Sequence, residues 1–178
     1  MNKKDLLLPV MVAIAMIAAF SYLSEGYSLI FTFVPAVPIA FWLYYKTCYL
    51  SFKPKAGLIP LYLVGLGFQL IHFAEEHQFG FERKFGPLFG GKEYNHNLFV
   101  DFNMFAYFLF LLGAVGLYRN IKPLMFIGMF FIVYGMFGNA IGHITYCVMV
   151  RGYFPGIVTC FFNFLLTPVI VTRLWKLR

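Results

Sequence analysis

Residues 57–77 read GLIPLYLVGLGFQLIHFAEEH. The stretch from Gly57 to Ala74 is almost wholly apolar, with Gln69 and His72 its main polar interruptions, and it then turns abruptly acidic at Glu75 and Glu76. A helix rises about 1.5 Å per residue, so a run of this length comes close to crossing a hydrocarbon layer about 30 Å thick. Five further runs of the same character occupy residues 6–23, 27–45 (with Pro35 and Pro38 in its middle), 98–118, 123–150 and 156–171. Short polar joints separate them, except at 77–97, where the Gly- and Phe-rich FGFERKFGPLFGG makes a longer connection. That segment is expected to lie flat in the interface or to fold back over the helix ends.

Composition agrees with this reading. Of the 178 residues, 61% are hydrophobic and only 12% charged, against about 25% charged in an average soluble domain. That leaves too few polar side chains to coat a soluble surface, and excludes a soluble globular enzyme, a disordered tail and a coiled coil. No run alternates apolar and polar residues as a membrane barrel strand would. The expected fold is all-α: a polytopic membrane helical bundle of about six transmembrane helices, with residues 1–178 forming one integral-membrane domain. The first run exceeds a signal-peptide core and has no small-x-small cleavage site after it, so it is read as an uncleaved helix. Cys48, Cys147 and Cys160 lie in apolar runs without CxxC spacing and read as packing thiols rather than a disulfide framework.

The net charge of +7 fits membrane topology better than nucleic acid, because no run of Lys and Arg forms a phosphate-binding stripe. With the N-terminus inside, ten Lys and Arg (Lys3, Lys4, Lys46, Lys53, Lys55, Arg119, Lys122, Arg173, Lys176, Arg178) face the cytoplasm and four (Arg83, Lys84, Lys92, Arg151) face out. The imbalance places both termini in the cytoplasm, and a bacterial inner membrane is the expected setting.

Ionisable groups inside such spans are costly and therefore informative. On a helix, residues three and four apart share a face, so His72 lies over both Glu75 and Glu76, with Gln69 one turn below. The fifth run carries Asn139 and His143, again four apart, and the fourth carries Asn103 with Tyr107 one turn on. The topology brings the end of the third run, the start of the fourth, the end of the fifth and the start of the sixth to the outer side. His72 and His143, 71 positions apart in the chain, thus fall at one depth. One buried polar site is expected there.

The string His72-Phe-Ala-Glu75-Glu76 resembles the defining motif of the HXXEE-domain family of integral membrane proteins. Asn139-x-x-x-His143 and Tyr153-Phe-Pro155-Gly156-Ile-Val-Thr159 are similar to that family's downstream motifs, in the same order. The resemblance covers roughly residues 57–173 and implies a small multi-span protein with a site but no assigned reaction.

The residues themselves admit several chemistries. His72, Glu75, Glu76 and His143 could ligate one divalent transition metal, Zn, Fe or Mn, with Asn139, Asn103, Tyr107 and Gln69 orienting the ligands or binding substrate. His72, Glu75 and Glu76 would then be the catalytic groups of a metal-dependent membrane hydrolase or oxidoreductase acting on a lipid or other hydrophobic substrate. Two neighbouring carboxyls at low dielectric could instead share a proton and serve metal-free acid–base chemistry. This is similar in architecture and residue types, though not in motif, to the sterol isomerases of the emopamil-binding type. A carrier that holds a hydrophobic ligand by its polar head and a hydrogen-bonded lock between helices complete the set. The expected partners are membrane lipids and a hydrophobic small molecule, with no nucleic acid. The Pro-Gly entry into the last run reads as structural, with Pro155 suited to a first helical turn.

Overall fold

A computed structural model describes residues 4–51 and 55–177. Lys3, Lys53 and Arg178, which enter the charge count above, lie outside the described residues, as does the side chain of Lys4. Among the described residues there are seven helices: α1 (Asp5–Leu23), α2 (Ser28–Tyr49), α3 (Ala56–Gln78), α4 (Phe81–Leu88), α5 (His96–Arg119), α6 (Lys122–Val150) and α7 (Ile157–Lys176). All but α4 are long and apolar enough to cross a membrane. No strand occurs among the described residues.

Each helix owes its shape to local chemistry. Pro35 lacks an N–H, so α2 is interrupted after Thr32 and resumes at Ala36. The turn between α5 and α6 is made at Asn120, whose φ of 58° lies in the left-handed region that Asn tolerates better than most residues. The two helices then pack very closely: a Cβ on Gly113 would come within 2.9 Å of the Gly128 backbone, and one on Gly116 within 2.6 Å of the Leu124 carbonyl carbon. Only glycine allows that approach.

α6 is the central element, in contact with α1, α2, α3, α5 and α7. It runs as a π-helix from Phe131 to Gly138, a widened turn often found at functional sites because it re-aims the residues that follow. Aromatic rings fill the interior around it, with Tyr62 against Phe131 and Phe131 against Phe110 at centroid separations of 4.9 and 4.7 Å. The Tyr62 hydroxyl satisfies itself on the Phe110 carbonyl at 2.8 Å.

The 77–97 connection folds back over the bundle. α3 continues past the apolar run to Gln78, so both glutamates are helical. α4 then buries Phe81 and Phe85 while Arg83 and Lys84 point to solvent, the pattern of a short amphipathic helix on a bundle end. The rest of the connection docks on the α1–α2 turn: Tyr94 meets the Glu25 N–H at 2.9 Å and the Ser28 hydroxyl at 2.5 Å, and Phe89 accepts from the Tyr27 N–H at 3.2 Å.

Candidate metal centre

The end of α3, the end of α6 and the start of α7 meet beneath α4. Three side-chain atoms converge there, two imidazole nitrogens and one carboxylate oxygen. His72 Nε2 lies 3.1 Å from His143 Nε2, His143 Nε2 lies 3.1 Å from Glu76 Oε1, and His72 Nε2 lies 3.3 Å from the same oxygen. Both histidines are fully buried and Glu76 nearly so. Tetrahedral coordination with bonds of about 2.0 Å requires ligand atoms about 3.3 Å apart, which the edges of this triangle match. His72 and Glu76 share a face because they are four residues apart, and α6 supplies His143 from across the bundle.

Glu75 does not join them. It was expected among the ligands, but one residue of helix turns it about 100° away from Glu76, toward α7. There four donors converge on its two oxygens: the backbone N–H groups of Val158 (3.2 Å) and Thr159 (2.9 Å), the Thr159 hydroxyl (2.6 Å) and the Tyr153 hydroxyl (2.8 Å). α7 begins after Gly156, which has no side chain to cap its first N–H groups, and Glu75 supplies that cap from a neighbouring helix, where an anion is also favoured by the helix dipole.

Thr159 links the two arrangements. Its hydroxyl has a single proton, which goes to Glu75, so toward His72 Nδ1, 3.1 Å away, it can only accept. In the neutral imidazole the proton of His72 therefore sits on Nδ1, which leaves the Nε2 lone pair facing the triangle. This is the support typical of a metal-ligating histidine, whose tautomer is fixed by a hydrogen bond from its other nitrogen. His143 Nδ1, by contrast, is buried with no hydrogen-bond partner among the described residues. The ring of His143 is held by shape, with Phe81 at 5.5 Å and Tyr146 at 5.5 Å between centroids. Gly156 closes the remaining side: a Cβ there would fall 2.4 Å from His143 Cε1 and 2.7 Å from His72 Cε1.

Gln69, Tyr107, Asn103 and Asn139 reach none of the three converging atoms. Gln69 accepts from Asn163 of α7 at 3.0 Å, and its backbone carbonyl accepts from the Tyr107 hydroxyl at 3.2 Å, tying α3 to α5 and α7 one turn below the centre. Asn103 donates to Phe99 of its own helix at 2.9 Å. All four line an adjoining cavity of about 90 Å³, which Glu76 also borders. The two asparagines, expected to orient the ligands, line this cavity and make no hydrogen bond to the three converging atoms among the described residues. Thr159, Gly156 and Tyr153, which belong to the family-like motif above but were given no part in the site, and Asn163, which was not named, are its supporting residues. A Thr three residues beyond Pro-Gly, at a helix start facing a carboxylate pair, was the available signal for the first. The Tyr153 phenol, outside the spans, is pushed above its usual value by loss of solvent and then by Glu75.

The fold and site define a polytopic helical protein with a two-histidine, one-carboxylate cluster buried near one end of six apolar helices. The chain belongs to the HXXEE family, described as proteins of unknown function with an HXXEE motif, whose model matches residues 63–171. Neither a curated protein nor a solved structure matches it.

Proposed function

We propose that the chain is a membrane-embedded, metal-dependent enzyme acting on a hydrophobic substrate. The observation that carries this reading is the triangle of His72 Nε2, His143 Nε2 and Glu76 Oε1, together with a tautomer of His72 fixed from outside by Thr159. Three protein ligands with a further position open is the pattern of catalytic rather than structural sites: two His and one Glu hold zinc in hydrolases, and two His and one carboxylate hold iron in oxygenases. A divalent ion held there would act as a Lewis acid and acidify bound water. The protein's own contribution is positional. His72 and His143 are fixed in a water-poor interior, Glu76 borders the apolar cavity, and Glu75 acts at one remove by holding Thr159 and the start of α7.

The setting is a membrane in which the centre lies near the outer face, with both termini in the cytoplasm, supported by the ten-to-four distribution of Lys and Arg; a bacterial inner membrane fits it. Elemental analysis of the protein purified in detergent without chelator tests the proposal. About one metal per chain is expected, lost in His72→Ala and His143→Ala. No metal after repletion with zinc, iron and manganese would refute it and leave the hydrogen-bonded lock.

A further inference from the structure

The cavity beside Glu76 belongs to no side chain of the triangle except Glu76, and its walls come from two sources. Its polar residues and the α5 wall (Phe99, Phe102, Ala106) lie within the stretch that matches the family, residues 63–171. The opposite wall is made by Leu23 of α1 and Leu29 and Phe33 of α2, all before that stretch. The α1–α2 unit is fastened to the rest at its outer turn by the Tyr94 and Phe89 contacts described above. Deeper in the bundle, Phe33 packs on Tyr134 of α6 at 3.8 Å between centroids and Phe20 packs on Phe102 at 6.3 Å.

Three features describe what the cavity would accept. Its volume of about 90 Å³ is six to nine times the roughly 10–15 Å³ that one water-sized sphere needs by the same kind of measure, enough for a short chain or a single ring. The walls are mostly aromatic and aliphatic, with a few polar groups (Glu76, Gln69, Asn103 and Asn139) among them, as in pockets that orient an amphiphile. Of these, the Asn139 amide makes no hydrogen bond among the described residues, and only the Nδ2 of Asn103 is engaged, which leaves its side-chain oxygen available. No Lys, Arg or His is among the lining residues, so nothing there matches an anionic head. Leu23 and Leu98 both line the cavity and reach the bundle surface, Leu98 with 44% exposure, so the cavity comes close to the surface between the end of α1 and the start of α5.

We infer that this cavity binds the apolar portion of an uncharged amphiphile bearing a hydroxyl or carbonyl head, taken up sideways from the bilayer, and that α1 and α2 set the chain length it accepts. The inference rests on the reading of the centre as a catalytic site, since the head would lie beside Glu76. It excludes a phospholipid held by its phosphate.

A diazirine-bearing eight-carbon primary alcohol, photolysed with the detergent-solubilised full chain, tests it. The expected result is saturable labelling of cavity residues, competed by octan-1-ol, and abolished in Ala106→Trp, which fills the space. Phe33→Ala should lengthen the preferred competitor, each additional methylene that fits strengthening competition about fourfold when referred to the competitor's free aqueous concentration. Labelling that does not saturate, that falls only on outward residues such as Ile144 and Val148, or that is unchanged in both variants would overturn the inference. Metal content measured on the same samples separates the two claims: a chain that binds metal but shows no saturable labelling refutes the cavity assignment alone, and a chain that labels saturably without metal refutes the metal centre alone. Should Ala106→Trp fail to fold, the chain-length shift in Phe33→Ala decides, and its absence overturns the role given to α2.

Discussion

Thr159→Val removes one hydroxyl and almost no volume, and it separates positioning from ligation. In the native protein that hydroxyl donates to Glu75 at 2.6 Å and accepts from His72 Nδ1 at 3.1 Å. Glu75 keeps its two backbone donors and Tyr153 in the variant, so the start of α7 stays capped and the fold holds. What is lost is the acceptor for a fully buried imidazole N–H, a group that costs about 1–3 kcal/mol when left unsatisfied. His72 then gains by moving its proton to Nε2, the nitrogen that must be bare to bind a metal. Loss of such outer partners lowers metal affinity about 10–100-fold, or about 1.4–2.8 kcal/mol. Competition with a chromogenic chelator reads this directly, and Thr159→Ser should restore most of it. Unchanged affinity in Thr159→Val would refute the tautomer argument. A loss as complete as in His72→Ala, with the fold intact, would show that Thr159 is itself a ligand and the geometry is misassigned.

Other consequences can be measured as readily. Gly156→Ala should lower both metal occupancy and thermal stability, because its Cβ would fall 2.4 Å from His143 and the backbone there has φ of 95°; wild-type occupancy in that variant would contradict the packing described. Gly113→Ala should destabilise far more than Gly65→Ala, since the first meets the Gly128 backbone at 2.9 Å and the second only the flexible end of Met136, and thermal melts of the pair provide the check. The Tyr153 phenol holds its proton more tightly in the folded chain than free. The stability this confers is fully present below the ordinary phenol value of about 10 and is lost as pH rises toward the folded value; melts across that range should flatten in Tyr153→Phe.

How much of this was legible in the sequence varies with the residue. The six long helices are, because runs of about 20 apolar residues have few alternatives in a chain so poor in charge. The short α4 is not, since Gly80, Gly86 and Pro87 break up its pattern and only Phe81 and Phe85, four apart, hint at one buried face. The meeting of His72 with His143 follows from their shared depth near the ends of the third and fifth spans, which run in the same direction, and Glu76 from i,i+4 spacing. Spacing barely distinguishes Glu76 from Glu75, which is three residues from His72 and only about 20° further round on a helical wheel. The choice was made by the position of α7, whose uncapped start drew Glu75 away. For the same reason Thr159 was hidden: its role depends on a carboxylate 84 residues earlier and on the helix that brings them together. The division of the cavity between Asn103 and Asn139 depends on how α5 and α6 pack through Gly113, Gly116 and Gly128, which side-chain periodicity does not encode.

X-ray absorption at the zinc edge of the reconstituted protein tests the central claim most directly. Two imidazole nitrogens and at least one carboxylate or water oxygen at about 2.0–2.2 Å are expected, with one imidazole lost in His143→Ala. A spectrum without imidazole scattering, or one unchanged when either histidine is removed, would contradict it.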